Sequence, residues 1–320
     1  MNKCRVCGNE KNSEFTVQEM MFGLHDAFLY FECSCCGCLQ IKEVPCNIAK
    51  YYPLNYYSYN AATDSGSFVK KLLRRIRNNF AVFDKGIIGR LLCLYKQSSI
   101  DLRSLSSLNL KKDMRIIDVG CGNGKLLCTL QEIGFKALLG VDPFVKQNID
   151  YANGVKIVKN ELENINGAWD VVMFHHSFEH IFDQLGTLHS VYRLLDDRGT
   201  CLIRVPVTSS FAWRHYGINW VQLDAPRHFF LHSIQSMALL AEQAGFYVER
   251  VVYDSTSLQF IGSELYLKGE SLSDINTGEQ KAWNCFFSTA ELEKFSEESV
   301  LLNAKKDGDQ AAFYLRKIRA

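Results

Sequence analysis

Residues 115–127 read RIIDVGCGNGKLL, and the order of apolar residues and glycines in this stretch indicates a local fold. The apolar run at 115–119 predicts a buried β-strand, and the residues from Lys125 onward predict a helix. The glycine-rich loop between them allows a sharp turn and a close approach of the backbone to a ligand. The helix would begin with N–H groups that have no partner inside the helix. The stretch therefore predicts a strand, a ligand-binding loop and a helix in direct succession.

The spacing of the glycines separates two classes of cofactor. A dinucleotide-binding loop requires G-x-G-x-x-G. Here the loop reads G-x-G-x-G, Asp118 stands two residues before its first glycine, and Lys125 stands where the third dinucleotide glycine would be. The register therefore argues against a dinucleotide.

The pattern after the loop alternates short apolar runs with helical stretches, which is typical of βαβ units and a parallel sheet. A second strand at 137–141 ends in Asp142, whose carboxylate can accept hydrogen bonds from both ribose hydroxyls of a nucleoside. The pattern predicts further strands at 155–159, 169–174, 199–205, 246–253 and 312–318, and helices at 233–244 and around 289–303.

Four segments in order resemble the class I S-adenosylmethionine methyltransferase family. They are IIDVGCGNGKLL (116–127), GVDPF (140–144), WDVVMFHHSFEH (169–180) and LLDDRGTCLIRVP (194–206). The resemblance covers about residues 111–254 and the last strand. It implies an α/β, Rossmann-like fold with a seven-stranded class I methyltransferase sheet, in which the last strand is antiparallel and lies between the fifth and sixth.

The resemblance also implies S-adenosyl-L-methionine as cofactor and assigns residues to it. Those expected around its methionine part are Asp118, Gly120, Cys121, Gly122 and Gly124. Asp142 would hold the ribose, and Pro143 or Phe144 would line the adenine pocket. Asn160 and Glu161 would lie at the adenine edge, and His175 near the sulfonium.

Two matching C-x-x-C-G pieces lie near the N-terminus, at 4–8 and 33–37. Two such knuckles supply four thiolates to one tetrahedral Zn²⁺ and leave no open coordination position, so the site would be structural. The preferred ligands are Cys4, Cys7, Cys33 and Cys36. Because Cys35 and Cys38 form a competing C-x-x-C pair, the register stays open.

Composition limits the function classes. The chain has 320 residues, 47% of them hydrophobic and 22% charged, with a formal net charge of +1. It can bury a sizeable core, is not of disordered type, and has no overall charge that would favour nucleic acid. Neither a secretory signal nor a membrane-spanning apolar run is present, so a cytoplasmic protein with reduced thiols is expected.

Composition shifts suggest three parts. Residues 1–50 would form the zinc-binding module, 51–110 a Tyr-rich linker and helical lid, and 111–320 the methyltransferase domain, with insertions at 207–232 and 256–310. The linker contains YYPLNYYSYN (51–60), which would either cover a ligand or pack the module onto the core. It also contains an amphipathic helix at 67–80, whose basic face is expected to be solvated, although phosphates or an acidic membrane surface would also suit it.

Methyl transfer to a hydroxyl or a carbon acid requires a base, and histidine suits that task near neutral pH. We expect His228, in the segment APRHFF, to be this base, with His176 second. Glu179 and His180 follow the fourth strand and are further candidates, although Glu179 could equally cap the next helix. The insertion at 207–231 contains aromatic side chains with Arg214 and Arg227, which would suit a sugar bearing a phosphate or carboxylate.

The knuckles, the Tyr-rich stretch and LDAPRHFFLHS (223–233) resemble a narrower subgroup, the zinc-containing methyltransferases of bacterial sugar and surface-polysaccharide pathways. This resemblance implies a small-molecule acceptor, most simply a sugar or nucleotide-linked sugar. Two alternatives remain: an RNA or protein methyltransferase, and a non-catalytic adaptor that retains the fold. The sequence does not indicate the oligomeric state.

Overall fold

The computed structural model describes residues 3–52, 67–273 and 282–319. The strands are β1 (Asn12–Gln18), β2 (Ala27–Cys33), β3 (Leu39–Ile41), β4 (Arg115–Val119), β5 (Ala137–Val141), β6 (Ile149–Asp150), β7 (Lys156–Val158), β8 (Trp169–His175), β9 (Leu195–Pro206), β10 (Phe230–Leu231), β11 (Phe246–Tyr253) and β12 (Gln310–Lys317). The helices are α1 (Phe68–Phe83), α2 (Ile87–Tyr95), α3 (Ile100–Ser104), α4 (Lys125–Glu132), α5 (Gln184–Leu194), α6 (Phe211–Tyr216), α7 (Ile234–Gln243), α8 (Leu258–Leu267) and α9 (Thr289–Ala304). Most of the Tyr-rich stretch, residues 53–60, and most of the polar segment 269–281 lie outside the described residues.

An eight-stranded sheet has the order β11-β12-β9-β8-β4-β5-β7-β6. β4 pairs in parallel with β5 and β8, and β5 pairs in parallel with β7. β12 lies between β9 and β11, as the methyltransferase resemblance implied. This confirms the α/β Rossmann-like fold, with one strand more than the predicted seven. The extra strand, β6, is two residues long and pairs antiparallel with β7. It is too short to produce a recognisable apolar periodicity in the sequence.

Burial explains the apolar run that precedes the glycine loop. Ile116, Ile117 and Val119 are buried, and so are Val171 and Val172 on the neighbouring strand β8. Strands covered on both faces carry near-continuous apolar runs, because every side chain then faces a packed layer. This burial fixes the end of β4, where the loop begins.

The chain divides into two compact units. The first comprises Met1–Tyr57, Phe178–Leu185 and Arg204–Phe313, and the second comprises Ser58–Ser177, Gly186–Ile203 and Tyr314–Ala320. The first unit contains a four-stranded sheet in the order β1-β2-β3-β10. Strand β10, from the insertion after β9, pairs antiparallel with β3, so the N-terminal segment and this insertion fold together. The sequence-based boundaries at 50 and 110 remain predictions.

The structure corrects one expectation about the insertion at 207–232. Arg227 was expected to suit an anionic acceptor, but its side chain is completely buried. Its Nη2 lies 2.9 Å from Glu19 Oε1, its guanidinium also pairs with Asp224, and its Nη1 donates to the Tyr51 carbonyl at 3.0 Å. The guanidinium is therefore bound by groups of the chain itself. Its ion pair with Glu19 and its hydrogen bond to Tyr51 join segments of the first unit that are far apart in the sequence.

Replacing Arg227 with leucine should destabilise the first unit by about 3–5 kcal/mol, because removing one partner leaves the buried Glu19 carboxylate uncompensated. Arg214→Leu is a matched control, since Arg214 pairs with Asp307 while its side chain is 58% exposed. The control should cost less than about 1 kcal/mol. Urea unfolding of both variants measures the difference, and equal losses would show that burial of the Arg227 pair adds nothing.

Among the described residues, no helix combines the length and the apolar character needed to cross a bilayer.

Candidate functional site

The glycine loop of the second unit leaves β4 in the conformation that its glycines require. Gly120 and Gly124 have φ values of 71° and 70°, in the left-handed region that favours glycine. A Cβ at Gly120 would lie 2.4 Å from the Cβ of Ser177, and one at Gly124 would lie 2.5 Å from Ile157 Cδ1. Backbone conformation thus favours glycine at both positions, and packing against Ser177 adds a second requirement at Gly120.

Asp142 at the end of β5 is joined directly to this loop. Its Oδ2 accepts the backbone N–H of Gly122 at 2.8 Å, and its Oδ1 accepts that of Phe144 at 2.8 Å. Each carboxylate oxygen has two lone pairs, so both can still accept a hydroxyl hydrogen. The carboxylate is therefore held in a fixed orientation, as a ribose-binding residue would need to be.

Asp118, the fourth residue of β4, is buried at the base of the loop. Burial raises the pKa of its carboxyl well above the ordinary value, and the carboxylates of Asp101 and Asp142 raise it further. A cationic ligand would reverse this effect, because it would favour the ionised carboxylate. Desolvation likewise raises the pKa of the half-buried Cys121 thiol, so Cys121 is neutral in the loop.

The remaining residues predicted to bind the cofactor also lie in the second unit. Asn160 and Glu161 follow β7, and Asn160 Oδ1 accepts hydrogen bonds from Glu161 N–H at 2.9 Å and Asn164 Nδ2 at 3.0 Å. Pro143 is half-buried beside Asp142. His175 ends β8, and its Nδ1 lies 3.8 Å from Asp101 Oδ1. Their roles toward a cofactor remain predictions.

In the first unit, the structure brings together the sulfurs of Cys4, Cys7, Cys33 and Cys36, all within 4.8 Å of one another. Each knuckle closes in the same way: Gly8 N–H donates to the Cys4 carbonyl at 2.9 Å, and Gly37 N–H donates to the Cys33 carbonyl at 2.8 Å. Of the competing pair, Cys35 is exposed, and Cys38 is buried with its sulfur 3.9 Å from His232 Nδ1. The donor set fits a tetrahedral Zn²⁺ held by four thiolates.

Side-chain amides donate hydrogen bonds to two of the four sulfurs. Gln40 Nε2 donates to Cys4 Sγ at 3.0 Å, and Asn9 Nδ2 donates to Cys33 Sγ at 3.5 Å. The hydrogen bond from Cys36 is the largest cause that lowers the pKa of the Cys4 thiol to about 4, while burial raises that of Cys7 to about 11. The Cys4 thiolate is thus favoured without metal, whereas burial disfavours ionisation of the Cys7 thiol until a cation binds.

A second polar cluster of the first unit contains three of the four predicted catalytic residues. Ligand atoms of Glu179, His180 and His228 all lie within 4.8 Å of one another. His228 Nε2 lies 3.9 Å from Glu179 Oε1, and the rings of the two histidines meet edge-on with centroids 4.8 Å apart. The fourth residue, His176, belongs to the second unit and has a positive φ of 52°.

The protonation of His228 follows from its partners. Its Nδ1 lies 2.7 Å from the Gln222 carbonyl, which only accepts, so Nδ1 carries the hydrogen and the neutral ring presents a lone pair at Nε2. Burial lowers the pKa of His228 to about 4, although the Asp224 carboxylate opposes this shift. His180 is oriented in the same way, since its Nδ1 lies 2.8 Å from the Arg227 carbonyl. The cluster can therefore accept a proton at a histidine Nε2.

Sequence reasoning missed two members of this cluster and misjudged one alternative. Asp224 Oδ2 lies 3.7 Å from His228 Nε2, and the Tyr52 hydroxyl lies 3.3 Å from His180 Nδ1. The four-residue separation of Asp224 and His228 was the only available signal. Glu179 was also expected to be a possible cap, but it lies in a short 3-10 helix (Phe178–His180) and α5 begins five residues later, at Gln184.

Known proteins are similar in sequence to a part of this chain. Residues 94–251 match the model of a family described as a methyltransferase domain. The tRNA U34 carboxymethyltransferase of Sulfurimonas denitrificans is 27% identical over 187 residues, which cover 51% of this chain and 59% of that protein. The protein of the same name from Aliarcobacter butzleri is 26% identical over 189 residues, which cover 55% of this chain and 60% of that protein. The chain thus spans about three fifths of the length of these two relatives.

Solved structures also resemble the chain. The mycolic acid cyclopropane synthase CmaA1, in complex with SAH and CTAB, is 18% identical, with 86% of this chain and 99% of that chain covered and a TM-score of 0.47. The O-methyltransferase region of StiE is 13% identical, with 84% and 91% covered and a TM-score of 0.45. Residues 94–251 are similar to a methyltransferase domain and lie within an α/β Rossmann-like fold, and this similarity supports an S-adenosylmethionine-dependent methyltransferase enzyme.

Proposed function

We propose that the protein transfers a methyl group from S-adenosyl-L-methionine to a hydroxyl of a small acceptor, a sugar or nucleotide-linked sugar. The observation that carries this proposal is the hydrogen bond from Gly122 N–H to Asp142 Oδ2, because it joins the glycine loop to the carboxylate that a ribose requires. The family match over residues 94–251 supports the reaction class. The proposed acceptor rests on the sequence resemblance to the sugar subgroup alone.

The proposed mechanism assigns a task to each site. When bound, S-adenosyl-L-methionine supplies an electrophilic methyl group. Asp142 and the glycine loop would hold the nucleoside and methionine parts of the cofactor, and His228 would accept the acceptor's hydroxyl proton at Nε2 as the methyl group passes to the oxygen and S-adenosylhomocysteine is left. Glu179 and Asp224, whose carboxylates raise the pKa of His228, stabilise the imidazolium that results.

An RNA acceptor is the second candidate, favoured by the curated relatives, which are named for action on tRNA. The two acceptor classes are distinguished by incubating the protein with methyl-labelled S-adenosyl-L-methionine and either a panel of nucleotide-linked sugars or a total tRNA pool. Label in the sugar fraction alone supports the proposal. Label that appears only in tRNA would overturn the proposed acceptor while leaving the reaction class intact.

Replacing His228 with glutamine should lower kcat by a factor of about 10²–10⁴, the usual contribution of a general base, with little change in cofactor affinity. His189→Gln is the matched control, because His189 is an exposed histidine of α5. Single-turnover methyl transfer and cofactor titration are measured on both variants. Full activity of the His228 variant would show that His228 is not the general base.

The pH profile follows from the pKa of His228. Because burial lowers that pKa to about 4, the lone pair at Nε2 stays available well below the ordinary histidine value of 6.5. We therefore expect kcat/KM to stay level between about pH 8 and pH 5.5, with zinc content checked at each point. A tenfold loss per pH unit that begins near pH 6.5 and disappears in His228→Gln would contradict this assignment.

A further inference from the structure

Helices α1 and α2 of the second unit expose an unusual amount of apolar surface. In α2, five large apolar side chains recur on one side of the helix and are all more than 60% exposed: Ile87, Ile88, Leu91, Leu94 and Tyr95. The last four follow Ile87 by one, four, seven and eight residues, and this spacing places all five side chains on a single face of the helix. Near the start of α1, Phe68 and Val69 are 80% and 61% exposed. Contiguous apolar patches of this kind mark sites of association rather than ordinary surface.

The same segment is strongly basic, in contrast to the near-neutral chain. Residues 68–96 contain one acidic residue, Asp84, and eight basic ones: Lys70, Lys71, Arg74, Arg75, Arg77, Lys85, Arg90 and Lys96. Arg74 pairs with Glu132 at 3.1 Å, whereas Lys70, Lys85 and Arg90 are exposed. Apolar side chains beside exposed cations are the composition of helices that lie in the interface of an anionic bilayer.

A groove of about 630 Å³ is lined by the two helices, the turn between them, Lys112 and Ile133, and it has the same mixed chemistry. Its apolar lining includes Leu72, Ile76 and Ile88, and the cations Arg75 and Lys85 also line it. An acyl chain and an anionic headgroup together match this combination. A polynucleotide would use the cations and leave the apolar lining exposed to water.

The two helices form a fixed hairpin. Gly89 of α2 is buried against α1, and a Cβ there would lie 2.4 Å from Phe80 Cβ and 3.1 Å from the Ile76 carbonyl oxygen. The absence of a side chain at Gly89 thus permits close packing of the inner faces. The outer apolar face of α2 is left to solvent among the described residues.

We propose that the α1–α2 hairpin docks on the surface of an anionic phospholipid bilayer, with the apolar face of α2 in the headgroup–acyl boundary and the cations against lipid phosphates. The proposal is independent of the acceptor and of methyl transfer. It fits helices too short to span a bilayer, because docking of this kind requires an amphipathic face and not a spanning length.

Flotation with unilamellar vesicles of phosphatidylcholine containing 30% phosphatidylserine tests the proposal. The full chain should float with these vesicles at about 0.1 M salt, bind pure phosphatidylcholine at least about tenfold more weakly, and lose most binding in about 0.5 M salt. The variant Lys70→Gln/Lys85→Gln/Arg90→Gln should bind about a hundredfold more weakly, at about fivefold for each cation. Ile87→Ser/Leu94→Ser should lose at least about tenfold.

Matched controls separate the hairpin from general surface effects. Val300→Ser/Leu301→Ser removes two exposed apolar side chains from α9, and Lys136→Gln/Lys156→Gln/Lys305→Gln removes three exposed cations elsewhere. Both controls should float like the parent chain. Far-UV circular dichroism and thermal unfolding of all four variants verify that the folds are equal, as expected for exposed positions.

Three outcomes would overturn the proposal. If the apolar variant floats like the parent chain while the charge variant does not, the apolar face does not enter a bilayer. If tRNA binds through the same cations, is unaffected by Ile87→Ser/Leu94→Ser and displaces the vesicles, the surface serves RNA. The third outcome is that the parent chain does not bind vesicles and sediments as a dimer, which Ile87→Ser/Leu94→Ser converts to a monomer. The apolar face of α2 would then bind a second copy of the chain.

Discussion

Replacing Cys36 with serine is expected to abolish zinc binding and to unfold much of the first unit, whereas Cys35→Ser should do neither. Cys36 is buried with its sulfur 3.6 Å from that of Cys4, while the neighbouring Cys35 is exposed. Binding of a structural zinc contributes on the order of 10 kcal/mol of folding free energy in small modules, which is comparable to the total stability of a domain. The loss of one ligand should therefore have a larger effect than any other single change proposed for this protein.

Hydrogen bonds also join the zinc-binding module to the rest of the first unit. They determine which residues are disturbed when the metal is lost. Thr208 Oγ1 donates to the Gly37 carbonyl at 2.8 Å, Ser233 Oγ donates to the Cys36 carbonyl, and Gln243 Nε2 donates to the Val6 carbonyl at 2.9 Å. We therefore expect zinc loss to disturb residues 204–243 as well as the knuckles. Hydrogen exchange before and after chelation should show faster exchange in both stretches.

Metal analysis of the purified variants decides the ligand register. The parent chain and Cys35→Ser should each contain about one zinc ion per chain, and Cys4→Ser, Cys33→Ser and Cys36→Ser should contain almost none. Loss of zinc in Cys35→Ser and Cys38→Ser with retention in Cys36→Ser would establish the competing register. Zinc-free protein with unchanged thermal stability would contradict a structural metal altogether.

Replacing Asp142 with alanine should weaken S-adenosyl-L-methionine binding by a factor of about 10²–10⁴. Two hydrogen bonds from ribose hydroxyls to a carboxylate contribute about 1.5–3 kcal/mol each, and both would be lost. The variant also frees the Gly122 and Phe144 N–H groups that the carboxylate holds, so the glycine loop loses its anchor. Asp142→Asn retains one side-chain oxygen and should fall between the parent chain and the alanine variant.

Equilibrium dialysis with labelled cofactor measures the Asp142 effect. Asp150→Ala is the matched control, because Asp150 is an exposed carboxylate at the edge strand β6 of the same unit. The control should bind like the parent chain. Equal affinities for the parent chain, Asp142→Ala and Asp150→Ala would show that Asp142 does not bind the cofactor.

Local patterns made the methyltransferase core predictable. The strand at 115–119 coincides with β4, and the helix expected at 233–244 matches α7, where Ser233 caps the helix by accepting the Ser236 N–H. These features depend on burial periodicity and on contacts within a few residues. The position of β12 between β9 and β11 has no local signal, and it followed from the family resemblance alone.

Contacts between residues far apart in the sequence could not be predicted from local patterns. Glu19 and Arg227 are 208 residues apart, and nothing local shows that a buried ion pair removes this arginine from the surface. His228, Glu179 and His180 were selected singly, and only the fold places their side chains together. The apolar face of α2 was also missed, because an apolar run in a sequence reads as a core element until its exposure is known.

Calorimetric titration of the zinc-loaded parent chain with S-adenosyl-L-methionine, S-adenosylhomocysteine and NADH tests the central claim most directly. We expect the first two ligands to bind with a stoichiometry near one and NADH not to bind, because the loop has the G-x-G-x-G register and an oriented Asp142. Failure of both sulfur-containing ligands to bind a folded chain, or binding of NADH in their place, would contradict the assignment of this domain as an S-adenosylmethionine-dependent enzyme.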